Sequence, residues 1–316
     1  MREVLAVWRS PKQTVLVALI AAAYAAVLIP FKIFTIIPGY TEVRPANAIP
    51  VAMAILFGPA AAWGSAIGNL IGDLFGTLTF GSLFGFVGNF LYGLIPWQVW
   101  RFLAGGRKAS WKARPYSWAL LVLASGAGVA VLALGAHLAT QWQLTLVIGL
   151  CALVIAFTAV NWEGYGRFWI AVVLASIACG ALIGWGLETS GMGIPFVALG
   201  NVIVINNAVM SLLLAPLLLQ LLTRPMTEVG LIYEGPPREP GAGTRLKRWI
   251  GFAALVVGCV GVMVACNAVG LRLGWEKYTH VFRVIALPEV KVGSTAAMGW
   301  AGGPFLLLIL IGCALL

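Results

Sequence analysis

Uncharged stretches long enough to cross a lipid bilayer recur along the whole chain, and they constrain the fold more than any motif does. Residues 13–38 carry a single charge, Lys32, and residues 117–140, 168–187 and 249–271 carry none. A helical crossing needs ~20 apolar residues to span a hydrocarbon core ~30 Å thick. A soluble domain is about 25% charged because its surface faces water. Here 9% of the residues are charged and 61% are hydrophobic. Polar groups are too few to cover a globule, so lipid is the solvent for most of the surface. The fold class expected is all-α: a polytopic membrane helix bundle of about ten transmembrane helices.

The apolar segments run over residues 13–38, 46–57, 60–78, 82–103, 117–140, 144–160, 168–187, 195–222, 249–271 and 297–316. The first is too long for the apolar stretch of a signal peptide and is read as a retained span. Residues 46–78 could form one overlong helix or two short ones meeting at Gly58-Pro59. Proline removes an interior backbone hydrogen bond, and glycine before it favours a turn. Charge favours the break. With it, the basic amino terminus (Arg2, Arg9, Lys12) and the basic loop holding Arg101, Arg107, Lys108, Lys112 and Arg114 lie on one side, as the positive-inside rule demands. Arg167 and the basic residues of 224–248 then fall on that side too, giving fourteen of the twenty Lys and Arg residues. Both termini are expected in the cytoplasm, with the protein in the plasma (inner) membrane. The net charge of +10 is explained by topology and anionic headgroups, without nucleic acid.

The polar stretch 223–248, with Gly-Pro-Pro and Gly-Ala-Gly runs, has linker composition. It separates a body, residues 1–222, from a two-helix appendix, residues 249–316. The loop 272–294 is expected at the outer surface.

Few residues in this chain could carry chemistry. Cys151, Cys179, Cys259, Cys266 and Cys313 lie in apolar runs without metal-ligand spacing, and only His137 and His280 are present. No metal or cofactor is expected. No HExxH, phosphate loop or GxSxG occurs, so the chain is not expected to be an enzyme or to hydrolyse ATP. Asp73, four residues after Asn69, is the only carboxylate in the first four spans; an acid within a membrane points by default to function or a specific partner, the alternative being a solvated place near the outer interface. Asn69, Asn89, Asn201, Asn206 and Asn207 form an amide set suited to hydrogen-bonding a neutral or zwitterionic heterocycle. Glu42, Arg44 and Asn47 lie at the membrane mouth, either as an ordinary interfacial loop or as a loop contacting a substrate. Glu163 and Glu188 are read as interfacial. Trp63 and Trp185 fall within spans, where core packing or stacking on a planar ligand would both place them. Ala18, Ala22 and Ala26 form a flat stripe that suits close helix packing, within the chain or against a partner.

Several of these residues together resemble the substrate-binding S components of energy-coupling factor (ECF) transporters. The resemblance rests on Arg44-Pro-Ala-Asn47, Phe57-Gly-Pro59, Gly68-Asn-Leu-Ile-Gly-Asp73 and Phe84-Gly-Phe-Val-Gly-Asn-Phe-Leu-Tyr-Gly93, with Asn206-Asn207 and Leu214-Ala-Pro216 later. It implies a six-helix core that captures a vitamin-like or nucleobase-like micronutrient outside the cell. It implies docking on a transmembrane T component bound to two ATPases. Ligand contacts would then come from Glu42, Arg44, Asn47, Asn69, Asp73 and Asn89, and docking contacts from Ala18, Ala22 and Ala26. The hairpin 117–160 reads as an insertion into that core. The competing reading is a structural membrane subunit that keeps the fold without transport.

Overall fold

A computed structural model describes residues 2–37, 40–104, 162–233, 242–272 and 295–316. The expected spans 117–140 and 144–160, the outer loop 272–294 beyond Arg272, Cys151, His137 and His280 lie outside the described residues, as does the Glu163 side chain. The helices are α1 (Arg2–Ala6), α2 (Pro11–Phe31), α3 (Ala48–Phe57), α4 (Ala60–Leu74), α5 (Ser82–Leu103), α6 (Trp162–Thr189), α7 (Phe196–Glu228), α8 (Ala242–Arg272) and α9 (Thr295–Leu315). Among them, α2, α6, α7, α8 and α9 are long and apolar enough to cross a membrane. The protein is a multi-pass membrane helix bundle.

The break at Gly58-Pro59 is sharp. Gly58 adopts φ 65° and ψ −133°, a backbone conformation open to glycine, and its N–H closes the last turn of α3 on Ala54 O at 3.1 Å. A Cβ on Gly58 would stand 2.5 Å from the ring of Tyr233, whose N–H donates to Leu56 O at 2.8 Å. Gly58→Ala is therefore expected to destabilise the protein by about 1–3 kcal/mol, measured by thermal unfolding in detergent.

Around this break one end of the bundle is tied together. Arg101, in the last turn of α5, pairs with Glu3 at 2.8 Å, and the Tyr233 hydroxyl donates to the same carboxylate at 3.0 Å. Lys12 donates to Gly230 O. Arg167 lies 5.1 Å over the Trp100 ring and Arg248 5.8 Å over Phe102. The amino terminus, the ends of α5 and α7, and the starts of α6 and α8 thus share one basic end, the grouping that charge counting requires.

The opposite end departs from the expected helix. The apolar run 13–38 was expected as one span, but α2 stops at Phe31 and residues beyond it turn into an antiparallel hairpin, β1 (Thr35–Ile37) with β2 (Thr41–Glu42). Thr35, Ile36 and Ile37 are β-branched and favour extended backbone, and apolarity alone does not separate strand from helix. This hairpin is a small exception to the all-α expectation. Likewise α4 ends at Leu74 rather than Leu78. At its far end α7 continues to Glu228, where the Thr223 and Thr227 hydroxyls bond carbonyls four residues back and Arg224 pairs with Glu228 at 2.9 Å.

Packing follows the rule for helices in lipid, where small residues let backbones approach. Ile20, Tyr24 and Leu28 of α2 seat against Gly64, Gly68 and Gly72 of α4, each set spaced by four. That contact turns the other face of α2 outward. Ala21 and Ala25 are buried, whereas Ala18, Ala22 and Ala26 are exposed. Helices α8 and α9 pack on each other and then on α6, with smaller contacts to α7 and α5, while α2 packs on α4 and α3. Their polar ties to the body include Gln98 to Cys313 O at 2.8 Å and the reciprocal amide pair Asn201 and Asn267, at 2.7 and 3.2 Å.

Candidate binding cleft

The end of the bundle away from the basic cluster opens into a polar cleft of roughly 610 Å3, counted out to its mouth. The space within it that admits water-sized molecules measures about 60 Å3. Its walls come from β2 and the residues on either side of it (Tyr40, Thr41, Arg44), from α4 and the turn after it (Asn69, Asp73, Thr77, Thr79), from α5 (Ser82, Gly85, Asn89), and from Cys179 and Asn207 on α6 and α7. Ile183, Leu187 and Ile203 supply an apolar side.

One chain of contacts crosses the mouth. Arg44 Nη1 donates to Asn69 Oδ1 at 3.2 Å, Asn69 Nδ2 donates to Asp73 Oδ2 at 3.2 Å, and Thr77 Oγ1 donates to Asp73 Oδ1 at 3.3 Å. Lys32 reaches Thr77 Oγ1 at 2.6 Å. Asn69 and Asp73 face one way because they are one helical turn apart. Arg44 Nε also lies 2.9 Å from Glu42 Oε1, with side chains 16% and 5% exposed. That contact is off the hydrogen-bond axis, so neither atom has a directional partner. Burial pulls the Arg44 pKa down, but the charges of Glu42 and Asp73 and the nearby Tyr24 more than offset it, and the net direction is up. Burial lowers the Lys32 ammonium below its ordinary value. The loop is held from α7, where Asn206 Nδ2 donates to Glu42 O at 2.8 Å.

Four of the six ligand-contact candidates, Arg44, Asn69, Asp73 and Asn89, line the cleft. Glu42 and Asn47 stand behind its wall, Glu42 as the counter-ion of Arg44 and Asn47 within a buried amide network. Thr77 and Ser82 line the cleft, and Tyr24 and Lys32 bond lining residues from behind, without having been anticipated from the sequence. Tyr24 interrupts an alanine-rich helix, which in retrospect is a signal. Trp63 and Trp185 lie elsewhere. Trp63 donates to Val4 O at 2.9 Å and packs edge-on to Trp8 and Phe90, and Trp185 donates to Met298 O at 3.2 Å. Glu188 stands one residue from the end of α6. It is 3% exposed, and its carboxylate accepts the N–H of Phe196, the first residue of α7, at 2.5 Å. A carboxylate there satisfies an orphan N–H and complements the helix dipole. Among the described residues no group of three or more His, Cys, Asp or Glu side chains is placed to hold a metal ion.

The arrangement offers hydrogen-bonding groups and balanced charge. Residues 14–158, a little under half of the chain, match the QueT transporter family model. The match spans α2 to α5 and hence most of the polar lining. It supports the S-component resemblance, and the chain is a membrane transport component rather than an enzyme. No curated protein and no solved structure matches it.

Proposed function

We propose that this chain is the substrate-capture subunit of an ECF transporter, taking up a queuosine precursor or a closely related nucleobase. The queuosine-precursor assignment rests on the family match. The observation that carries the reading is the coincidence of that match with the cleft. Arg44 and Lys32 are set against Glu42 and Asp73, and amides fill the space between them. Such a balance suits a neutral or zwitterionic heterocycle better than an anion. The basic end faces the cytoplasm, which turns the cleft outward. Arg44, Asn69, Asp73 and Asn89 contact the ligand, while Glu42 and Asn47 hold those contacts in place.

Ala18, Ala22 and Ala26 form the face that docks on the T component, whose two ATPases supply the energy. Among the described residues they are exposed on α2 at helical spacing, and α8 and α9 pack on each other and on α6 rather than on this face. Residues 1–222 form the capture body, 223–248 the cytoplasmic link, and 249–316 a hairpin that stays with the body.

Ala22→Trp separates docking from capture. Co-expressed with T component and ATPases, it is expected to lower uptake of the queuosine precursor at least about tenfold, because an indole prevents close helix approach. Binding to the purified subunit should stay within about twofold of the parent. Equal uptake by Ala22→Trp and parent would remove α2 as the docking face.

A further inference from the structure

The segment from Glu42 to Asn47 is fastened to α7 at both of its ends. At the near end the Asn206 side chain, on a residue 4% exposed, meets two backbone groups. Its Nδ2 donates to Glu42 O at 2.8 Å, and its Oδ1 accepts the Arg44 N–H at 3.5 Å. Alternate residues of an extended chain turn their backbone groups to opposite edges. On the other edge the N–H of Val43, between the two, donates to Phe34 O at 2.8 Å. The Asn206 amide thus fills the place of a neighbouring strand along the free edge of β2. At the far end Asn207 Oδ1 accepts from Asn47 Nδ2 at 2.7 Å, and Ser211 Oγ donates to Asn47 O at 2.8 Å. A two-stranded hairpin is marginally stable by itself, so residues 42–44 depend on α7 for their place. Asn206 stands behind the cleft wall that Arg44 lines.

We propose that Asn206 is a positioning residue for capture: it fixes the backbone of Glu42 to Arg44 on α7, so that the Arg44 guanidinium stands ready in the cleft before a ligand arrives. The inference rests on the cleft being the capture site. With its backbone held at α7, the Arg44 side chain reaches across to α4, where Nη1 donates to Asn69 Oδ1 at 3.2 Å. Without the Asn206 amide, Glu42 O and the Arg44 N–H lose that partner, and the segment gains arrangements in which Arg44 is turned away from the ligand. The lost bonds are lost in the free and the bound protein alike, so they cancel from the affinity. The added freedom does not cancel. A ligand binds one arrangement, and its apparent affinity falls with the fraction of free protein that holds it. The effect therefore falls on association. Once bound, the ligand keeps the same contacts.

The test measures binding of tritiated 7-deazaguanine to the purified full chain in nanodiscs, with association and dissociation rates determined separately. Hydrogen exchange over residues 40–47 is followed on the free and the loaded protein. Asn206→Leu keeps apolar bulk on α7 and removes both amide groups. Its association rate should fall about tenfold, the scale of one buried hydrogen bond. Dissociation should stay within about twofold of the parent. Exchange over residues 40–47 should rise severalfold in the free variant and return to the parent's level with saturating ligand. Asn206→Ser perturbs the fold less and should show the same split in smaller measure. A residue that served the fold alone would change the number of binding sites or the melting temperature and leave both rates as they are. Unchanged association, a loss carried by faster dissociation, or unaltered exchange in Asn206→Leu overturns the proposal while leaving the capture reading intact. A parent that does not bind 7-deazaguanine overturns the capture reading and this inference with it.

Discussion

Arg44→Ala is expected to lower ligand affinity at least about a hundredfold and to lower thermal stability at the same time. The guanidinium bridges two structures, with Nη1 on Asn69 at 3.2 Å and Nε beside Glu42 at 2.9 Å. Removing one member of a buried pair costs about 3–5 kcal/mol, because the other charge stays behind without a partner. Glu42, 5% exposed, is that partner. The combined change Glu42→Gln with Arg44→Ala separates the two effects. Removing the second charge as well leaves no uncompensated buried ion, so the melting temperature should recover in part while binding does not. Recovery of binding in the double variant would show that Arg44 only neutralises Glu42. Binding isotherms and thermal unfolding in the same detergent read both quantities.

The second large effect is expected one helical turn from Asn89, at Gly93. A Cβ there would lie 2.5 Å from Ala61 O and 2.9 Å from Ala62 Cα. The obstacle is backbone, which cannot rotate aside as a side chain can. Gly93→Leu must push α5 away from α4, and with it Asn89 away from Asn69 and Asp73. Overpacking of this kind costs about 3 kcal/mol or more, enough to lose most folded protein from the membrane. Gly243→Ala is the control, because a Cβ at that helical position meets nothing within 4 Å. Folded yield by fluorescence-detected size exclusion should fall severalfold for Gly93→Leu and stay near the parent for Gly243→Ala. Comparable yields would mean that the two backbones are not held so close.

These two sites differ in how readily the sequence exposes them. The split of residues 46–78 was legible because two independent signals agreed, the Gly58-Pro59 pair and the placement of basic loops. Asp73 with Asn69 was legible because a carboxylate within an apolar span stands out and a four-residue spacing assigns it a face. The hairpin after α2 was not. Residues 33–38 are as apolar as the helix before them, and only β-branching distinguishes them. Nor could the sequence show which face of α2 turns inward. Ala18, Ala22 and Ala26 and Ala21 and Ala25 share the same small-residue pattern. The choice is made in three dimensions, where Gly64, Gly68 and Gly72 accept Ile20, Tyr24 and Leu28. Tyr24 meets Asn89 of the cleft wall only through that packing, so its place behind the site is a tertiary fact. Asn47 and Glu42 show the same limit from the other side. Polarity and position brought them to the mouth, but depth separates a wall residue from its support.

The most direct test of the account is equilibrium binding of a tritiated queuosine precursor to the purified full-length protein in nanodiscs. Saturable binding of one ligand per chain is expected, lost in Arg44→Ala and retained in Ala22→Trp. No saturable binding, or binding that Arg44→Ala leaves intact, would contradict the capture function and favour a structural membrane subunit built on the same fold.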